Sequence, residues 1–438
     1  MRNNLKLLKF GRSFFLLGAF TIASAPFLSS ILFLLSFPVS FYLQSTKIFK
    51  DRLNQLLIAS TFIMLIVALI QNINYPNIEV EIQNRTILWT PSASWIGLAN
   101  WIPLFLSFIG AKTYLSSNKD RQLFAKLLIA GSIPVLATGF GQYFFNWHGP
   151  IHILNNLIIW FQKPLDPDQG MSGLFSNQNY AGCWLNIIWP FSIALLFEKS
   201  SNFLKKGIIV SIIISISTAI FLTASRNAWG GLIITLSLLL GGNIIFLFFL
   251  VFIFIIILIK FGNQIPELIE KFIPFLPENL KYTIDQFDQS NYDIKAYNRP
   301  FIFIFTTRMI KDRLLLGWGA SSFPIYYFIN NGIYLGHTHN FFLELAFSYG
   351  IIPMLLIITT ILSICFISFK KVFLNKNKIL FIDLLFDKAW CTSFFVLLMS
   401  QMFDLQYFDG RISFTFWVLL AGIKEIMAEK KYKVKLLN

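Results

Sequence analysis

Long apolar runs recur along the whole sequence, and they constrain the fold more than any other feature. A transmembrane helix needs roughly 20 apolar residues to cross the ~30 Å hydrocarbon core of a bilayer. Charged residues make up only 13% of the chain, about half the share usual in soluble domains. Runs of the required length lie near residues 13–26, 27–44, 54–71, 92–111, 123–144, 178–197, 207–224, 227–241, 243–261, 340–368, 385–402 and 411–428. The sequence therefore predicts an all-α integral membrane protein, with about twelve transmembrane helices in a single polytopic domain over residues 1–438.

The charged residues divide unequally between the two sides of this predicted bundle. With the N-terminus inside, the cytoplasmic segments hold two thirds of the 36 Lys and Arg residues but one third of the 21 Asp and Glu residues. Cytoplasmic loops of membrane proteins carry an excess of Lys and Arg, so this partition predicts that both termini are cytoplasmic. It also explains the net charge of +15 without a nucleic-acid partner.

The longest segment on the opposite side covers residues 262–339. Its apolar residues have helical spacing over Ile265–Phe275 and Leu280–Phe287, between proline breakers. We therefore expect an ordered, partly helical external subdomain. Elsewhere, 3 cysteines in apolar runs and 4 histidines without a Cys-x-x-Cys pair favour neither a disulfide framework nor a zinc site.

Two arginines lie where the external side is predicted. Arg226 lies in a short polar turn between two apolar runs, and Arg299 directly precedes Pro300, at the start of a predicted helix. A guanidinium in such a position can extend to lipid phosphates, or it can bind a phosphate ligand bidentately. Arg308 and Arg313 are alternatives to Arg299 on composition alone.

Polar residues also mark the starts of two helices. Asn177 and Asn179 end a loop before one apolar run, and Asn177 is a candidate N-cap. His337, His339 and Asn340 lie at the mouth of the run 340–368. A histidine at a helix N-terminus is disfavoured in its charged form, so a neutral imidazole there suits a general base. A metal site on the two histidines is the rival interpretation, but no nearby carboxylate pair completes it.

Taken together, these motifs resemble those of the O-antigen ligase superfamily. The pattern consists of Gly317-Trp318-Gly319, His339-Asn340 and Gly350, preceded by the loop Gly173–Asn179, Ser225-Arg226 and Arg299. The resemblance covers roughly residues 170–355, and the remaining spans match only in hydropathy.

The resemblance implies a GT-C-like glycosyltransferase of the bacterial inner membrane with its active site on the periplasmic side. Its donor would be a glycan on undecaprenyl diphosphate, its acceptor a lipid or glycan hydroxyl, and it would need no metal or other cofactor. By position, Arg226 and Arg299 would hold the diphosphate and His339 would be the catalytic base, with inversion at the anomeric carbon. Asn340, Gly317, Gly319, Asn177, Asn179 and His337 would support them.

Two alternatives stay open from the sequence. A polysaccharide polymerase would use the same chemistry on a different acceptor. A non-enzymatic transporter, as in relatives linked to inorganic-carbon uptake, would also have about twelve spans. Transporters usually bury ionisable residues near the membrane midplane, whereas almost every charge here lies at a predicted helix end or in a loop.

Overall fold

Helices dominate the part of the chain that the structure describes. A computed structural model describes residues 2–82, 85–156, 158–166, 169–198, 202–240, 298–374 and 381–429. The helices are α1 (Arg2–Thr21), α2 (Pro26–Ile48), α3 (Arg52–Asn74), α4 (Ala93–Gly97), α5 (Ile102–Ala111), α6 (Asn118–Gly131), α7 (Ile133–Phe145), α8 (Gln178–Leu196), α9 (Phe203–Leu222), α10 (Arg226–Leu240), α11 (Arg299–Asp312), α12 (Phe323–Asn331), α13 (Phe341–Tyr349), α14 (Ile351–Val372), α15 (Phe381–Ser400) and α16 (Gly410–Ala428).

Six helical segments among these residues are long and apolar enough to cross a membrane. They are Pro26–Thr46, Arg52–Asn74, Ala93–Tyr114, Asn118–Phe145, Phe203–Leu222 and Ile351–Val372. The predicted span 243–261 and the predicted helices Ile265–Phe275 and Leu280–Phe287 lie outside the described residues. The total of twelve spans and the external subdomain over 262–339 therefore stay predictions, although α11 and α12 give the described part of that segment helical structure.

Two features of the fold differ from the sequence prediction. The all-α prediction was too strict, because two antiparallel hairpins lie in connections, β1 (Ile78–Ile82) with β2 (Arg85–Trp89) and β3 (Ile151–Ile153) with β4 (Ile158–Trp160). The run 340–368 is not one helix either. It breaks between α13 and α14 at Gly350, whose φ of +87° favours glycine.

The helix starts follow local capping chemistry. The side chains of Asp51, Ser117, Asn202 and Asp409 accept backbone N–H groups in the first turns of α3, α6, α9 and α16. Proline occupies the first turn of α5, α7, α11 and α12, where its missing N–H costs no helical hydrogen bond.

The centre of the bundle is built from α8, α15 and α16. Their largest side chains, Trp184, Trp390 and Trp417, are fully buried. Each indole nitrogen has a partner: for example, Trp184 donates to the Ser132 hydroxyl at 2.8 Å and Trp390 to the Leu419 carbonyl at 2.8 Å. By contrast, the outer helices α2 and α9 expose apolar side chains, with Phe27 78% and Phe203 94% exposed. An apolar exterior around a packed centre is expected of a protein surrounded by lipid.

Ion pairs fall into two groups at opposite ends of the helices. At one end lie Arg12–Asp120, Lys112–Asp51, Lys424–Asp51, Lys126–Glu198 and Arg121–Asp387. At the other end lie Arg299–Asp404, His339–Asp404 and Arg411–Asp409. Each of these pairs joins residues that the charge partition assigns to the same side. The helices therefore present a basic end, and a second end at which the site residues gather.

Candidate active site

Three helices begin around one cavity at this second end. The cavity has a volume of about 430 Å³, and we name it the arginine cavity. Its lining comprises Asn179, Arg226, Asn227, Gly230, Gly231, Ile234, Arg299, Val396, Met399, Ser400, Phe403 and Asp404. Asn179, Arg226 and Arg299 lie in the first turns of α8, α10 and α11. Because helix N-termini favour anions, the cavity suits a negatively charged ligand.

Arg226 is positioned by a tight turn between α9 and α10. Ala224 has a φ of +51°, and the Thr223 hydroxyl accepts the backbone N–H of Ser225 at 3.3 Å. The next residue, Asn227, donates to the hydroxyl of Ser400 at 2.7 Å. The side chain of Arg226 itself is exposed. The turn therefore exposes the guanidinium of Arg226, and the adjacent Asn227 fixes α10 to α15.

Arg299 is the first residue of α11 and is followed by Pro300. Its Nη2 lies 3.9 Å from Oδ1 of Asp404. Burial lowers the pKa of Arg299, Asp404 opposes this shift, and nearby Arg226 adds to it. A guanidinium keeps its charge in proteins nonetheless, so the cavity holds two cations close enough to interact and one carboxylate.

His339 lies beside the cavity and is bonded to the same carboxylate. Its Nδ1 lies 3.1 Å from Oδ1 of Asp404, and its φ of +58° places it in the left-handed region. The backbone N–H of His339 donates to Nδ1 of His337 at 3.2 Å. One residue earlier, the N–H of Thr338 donates to the buried carboxylate of Glu344 at 3.0 Å. These contacts hold the histidine loop in one conformation, despite its strained backbone.

The environment keeps both histidines neutral and Asp404 charged. Burial lowers the pKa of His337 to about 4, and proximity to His339 contributes. Burial also lowers the pKa of His339, although the hydrogen bond to Asp404 opposes it. Burial acts to raise the pKa of Asp404, but the hydrogen bond from His339 and the nearby His337 and Arg299 bring it below its usual value. A proton on Nδ1 of His339, donated to Asp404, leaves Nε2 with a free lone pair.

Asp404 was missed by the sequence interpretation. It lies 65 residues after His339, in the connection between α15 and α16. Its carboxylate also accepts the N–H of Leu405 at 3.1 Å and the amide of Gln406 at 3.3 Å. The available signal was the polar segment Asp404–Arg411 between two apolar runs on the predicted external side.

The predicted supporting residues fall into two groups. Asn179 lines the arginine cavity, and His337 packs against His339 with ring centroids 4.2 Å apart. Asn177 and Asn340 instead cap helices: Asn177 accepts the N–H of Asn179 at 2.8 Å, and Asn340 accepts that of Phe342 at 3.0 Å.

Gly317 and Gly319 lie away from the cavity, against the end of α13. The backbone N–H of Gly317 donates to the carbonyl of Arg313 at 2.8 Å, and that of Gly319 donates to the carbonyl of Ser348 at 3.2 Å. Both have positive φ, +64° and +97°, a conformation that favours glycine. Their role is therefore to pack the loop between α11 and α12 against the helix that follows the histidines.

His337, His339 and Asp404 could also be metal ligands, since their ligand atoms lie within 4.8 Å of one another. Asp404 supplies a carboxylate that the sequence interpretation did not find beside the histidines. Two observations favour the hydrogen-bonded arrangement instead. Nδ1 of His337 already accepts the N–H of His339, and Arg299 places a positive charge 3.9 Å from the carboxylate.

A match to a family model covers this region of the chain. Residues 210–358 match the O-antigen ligase family. The resemblance to the O-antigen ligase superfamily predicted from the sequence is thereby confirmed. The O-antigen ligase match contains Arg226, Arg299, His337 and His339, and it ends before Asp404. No curated protein sequence shows significant similarity to the chain.

Together, the O-antigen ligase match and the apolar helices indicate a multi-pass membrane protein of the ligase- or polymerase-like glycosyltransferase type. Such an enzyme acts on glycan or lipid substrates in a membrane environment. The match covers about a third of the 438-residue chain, and it includes both arginines and both histidines of the site.

Proposed function

We propose that this protein transfers a glycan from undecaprenyl diphosphate to an acceptor hydroxyl, with inversion and without a metal. The observation that carries the proposal is that Arg226, Arg299 and Asp404 line one cavity and that His339 is hydrogen-bonded to Asp404. Two permanent cations and three helix N-termini suit a diphosphate, and a neutral imidazole suits the activation of a hydroxyl.

The residues divide the reaction between them. Nε2 of His339 takes the proton of the acceptor hydroxyl while the oxygen attacks the anomeric carbon from the face opposite the diphosphate. The bond between the anomeric carbon and the phosphate oxygen breaks, and the electron pair leaves with undecaprenyl diphosphate. Arg226 and Arg299 stabilise the charge that develops on this leaving group. Asp404 is a positioning residue that holds the imidazole in the reactive tautomer.

A transfer assay on the purified protein tests the proposal. We expect His339→Ala to abolish glycan transfer from a synthetic undecaprenyl-diphosphate donor, while the protein stays folded and inserted. His148→Ala is the matched control, because His148 is exposed in the connection between α7 and β3. Transfer at the wild-type rate by His339→Ala would refute the assignment of the base, and loss of transfer in EDTA would refute metal independence.

The acceptor decides between a ligase and a polymerase, which share this chemistry. A gel ladder of surface glycans from cells with and without the gene separates the two. Full-length polymer left on its lipid carrier after deletion indicates a ligase, whereas single repeat units on the acceptor indicate a polymerase. An unchanged ladder would contradict both and would favour the transporter alternative.

We further propose that the arginine cavity faces the periplasm and that both termini are cytoplasmic. The excess of Lys and Arg at the opposite end of the bundle supports this orientation. Asn330, on the predicted external side, and Ser116, at the basic end, are both exposed positions at which a cysteine can be introduced. We expect an impermeant maleimide to label Asn330→Cys but not Ser116→Cys in intact spheroplasts, and the reverse pattern would overturn the orientation.

A further inference from the structure

A second, amphipathic groove is lined by residues at the starts of α2 and α16. It consists of two cavities of about 350 Å³ and 330 Å³, which share Pro26, Gly410 and Arg411 in their linings. We name it the Arg411 groove. The first cavity is lined by residues that include Trp160, Phe161, Ser176 and Asp409. The second lies between α2, α5 and α16 and is lined mainly by apolar side chains that include Phe33, Leu34, Leu104 and Phe414.

The charge in the Arg411 groove is already balanced. Nε of Arg411 donates to Asp409 at 2.9 Å, and Nη1 donates to the carbonyl of Leu174 at 2.9 Å. The guanidinium also lies 3.6 Å from the ring centroid of Phe175. Among the described residues that line the groove, Arg411 is the only cation, and its charge is matched by that of Asp409. The described part of the groove therefore lacks the unpaired positive charge that a diphosphate or a phospholipid headgroup would select.

The polar half of the groove instead has the features of a sugar site. Phe161 is 69% exposed, and the indole nitrogen of neighbouring Trp160 donates to the carbonyl of Ser24 at 2.7 Å, which fixes its ring. Exposed aromatic faces can pack against the C–H face of a hexose. The hydroxyl of Ser176, which donates to the carbonyl of Phe161 at 3.0 Å, keeps an oxygen that can accept a hydrogen bond from a sugar hydroxyl.

The apolar half suits an acyl chain. Leu34 in its lining is 71% exposed, and Phe27, next to Pro26, is 78% exposed. This part of the groove thus opens on the apolar exterior of α2. A ligand that fills both halves has an uncharged sugar headgroup and at least one hydrocarbon chain.

We propose that the Arg411 groove binds a membrane glycolipid, which is the acceptor of the transfer reaction. The role as acceptor rests on the proposed function, whereas the binding itself does not. Ser176 lines the groove and Asn179 lines the arginine cavity. Three residues span at most about 11 Å of extended chain, so a short oligosaccharide on the glycolipid reaches from one to the other. The charge of each site thus selects its substrate. The diphosphate donor binds in the cationic arginine cavity, and the uncharged acceptor binds in the Arg411 groove, where the charge of Arg411 is matched by that of Asp409.

Lipid retention by the full-length purified protein tests the binding. The probes are dihexosyl diacylglycerol and phosphatidylglycerol with the same acyl chains, detected by native mass spectrometry. We expect preferential retention of the glycolipid. Ser30→Phe, which fills the apolar half, and Phe161→Ala, which removes a sugar-facing ring, should each weaken it about tenfold. Both side chains are exposed, so neither change disturbs the packed core.

Matched controls are Ser45→Phe, at another exposed position of α2, and Phe203→Ala, at a 94% exposed ring. Equal retention of phosphatidylglycerol, or unchanged retention by both groove variants, would overturn the glycolipid site. For the acceptor role, the groove variants should raise the KM for the acceptor with kcat unchanged, and an unchanged KM would overturn it. His339→Ala should abolish transfer yet keep the lipid, so failure of the groove and failure of the proposed base give different results.

Discussion

Replacement of Asp404 by Asn is the sharpest test of the proposed base. The change keeps the shape of the side chain, but its amide can donate to Nδ1 of His339, which lies 3.1 Å from the present carboxylate oxygen. The imidazole proton then moves to Nε2, the atom that must accept the proton of the acceptor. General-base catalysis contributes about 10²–10⁴ in rate, equivalent to about 3–5 kcal/mol of transition-state stabilisation. We therefore expect kcat to fall by about 10²–10⁴.

The pH profile gives a second readout that a purely structural role would not move. His339 must be neutral to act, so activity is lost as the pH falls through its pKa. The charged or titratable groups around it are His337, Arg299 and Asp404, and Asp404 alone raises its pKa. Without that carboxylate the pKa falls further. The acidic limb of the kcat profile should then shift to lower pH in Asp404→Asn.

The assay is steady-state transfer across the range from about pH 5 to about pH 9, which brackets the usual pKa of histidine, with a saturating donor. Asp312→Asn is the matched control, because Asp312 is exposed at the end of α11, and it should behave like the wild type. A fall in kcat of less than tenfold, with the acidic limb unchanged, would refute the role of Asp404.

Three further changes test the cavity and its support. Arg226→Ala should lower kcat by about 10²–10³, as expected for loss of a donor to developing negative charge. The control Arg308→Ala, at an exposed position of α11, should leave kcat unchanged. Equal effects of the two changes in transfer assays would contradict the assignment of Arg226 to the leaving group. Gly230 lines the arginine cavity, and a Cβ at this position would meet no neighbouring atom within 4 Å. Gly230→Phe should therefore raise the KM for the donor without loss of thermal stability. The control Gly207→Phe, at an equally open position, should leave that KM unchanged. Glu344→Ala removes the hydrogen-bond acceptor of the Thr338 N–H. It should lower the free energy of unfolding by about 1–3 kcal/mol, measured by denaturant unfolding. A smaller loss would show that this contact does not hold the histidine loop.

Local signals in the sequence predicted the helix starts around the candidate site. Asn177 caps α8 as expected, and α11 begins at Arg299, one residue before the expected Pro300. Capping and proline preferences depend on a few neighbouring residues, which explains this success. The predicted separation of the runs 13–26 and 27–44 is also present, since α1 ends at Thr21 and α2 begins at Pro26.

Contacts between distant segments could not be predicted in this way. Asp404 reaches His339 because the start of α13 is bonded to the end of α15: the N–H of Phe341 donates to the carbonyl of Gln401 at 3.0 Å, and the amide of Asn340 donates to the carbonyl of Met402 at 3.1 Å. Hydropathy does not encode these contacts. The two hairpins were missed for a related reason. Each is short and joins two helices on the predicted external side, and the pairing of two short strands leaves little trace in hydropathy. Gly350 was noted as part of a motif, but its positive φ, which ends α13, required the backbone.

The charges of the arginine cavity offer a physical link between the two halves of the proposed reaction. Before transfer, Arg226 and Arg299 face Asp404, and His339 is neutral, so the four groups sum to a single positive charge. When His339 takes the acceptor proton, its imidazolium forms a neutral pair with Asp404, 3.1 Å away. The net charge of the cavity thus rises by one as the departing diphosphate gains negative charge. Because Arg299 lies 3.9 Å from the same carboxylate, Asp404 connects proton removal from the acceptor to stabilisation of the leaving group.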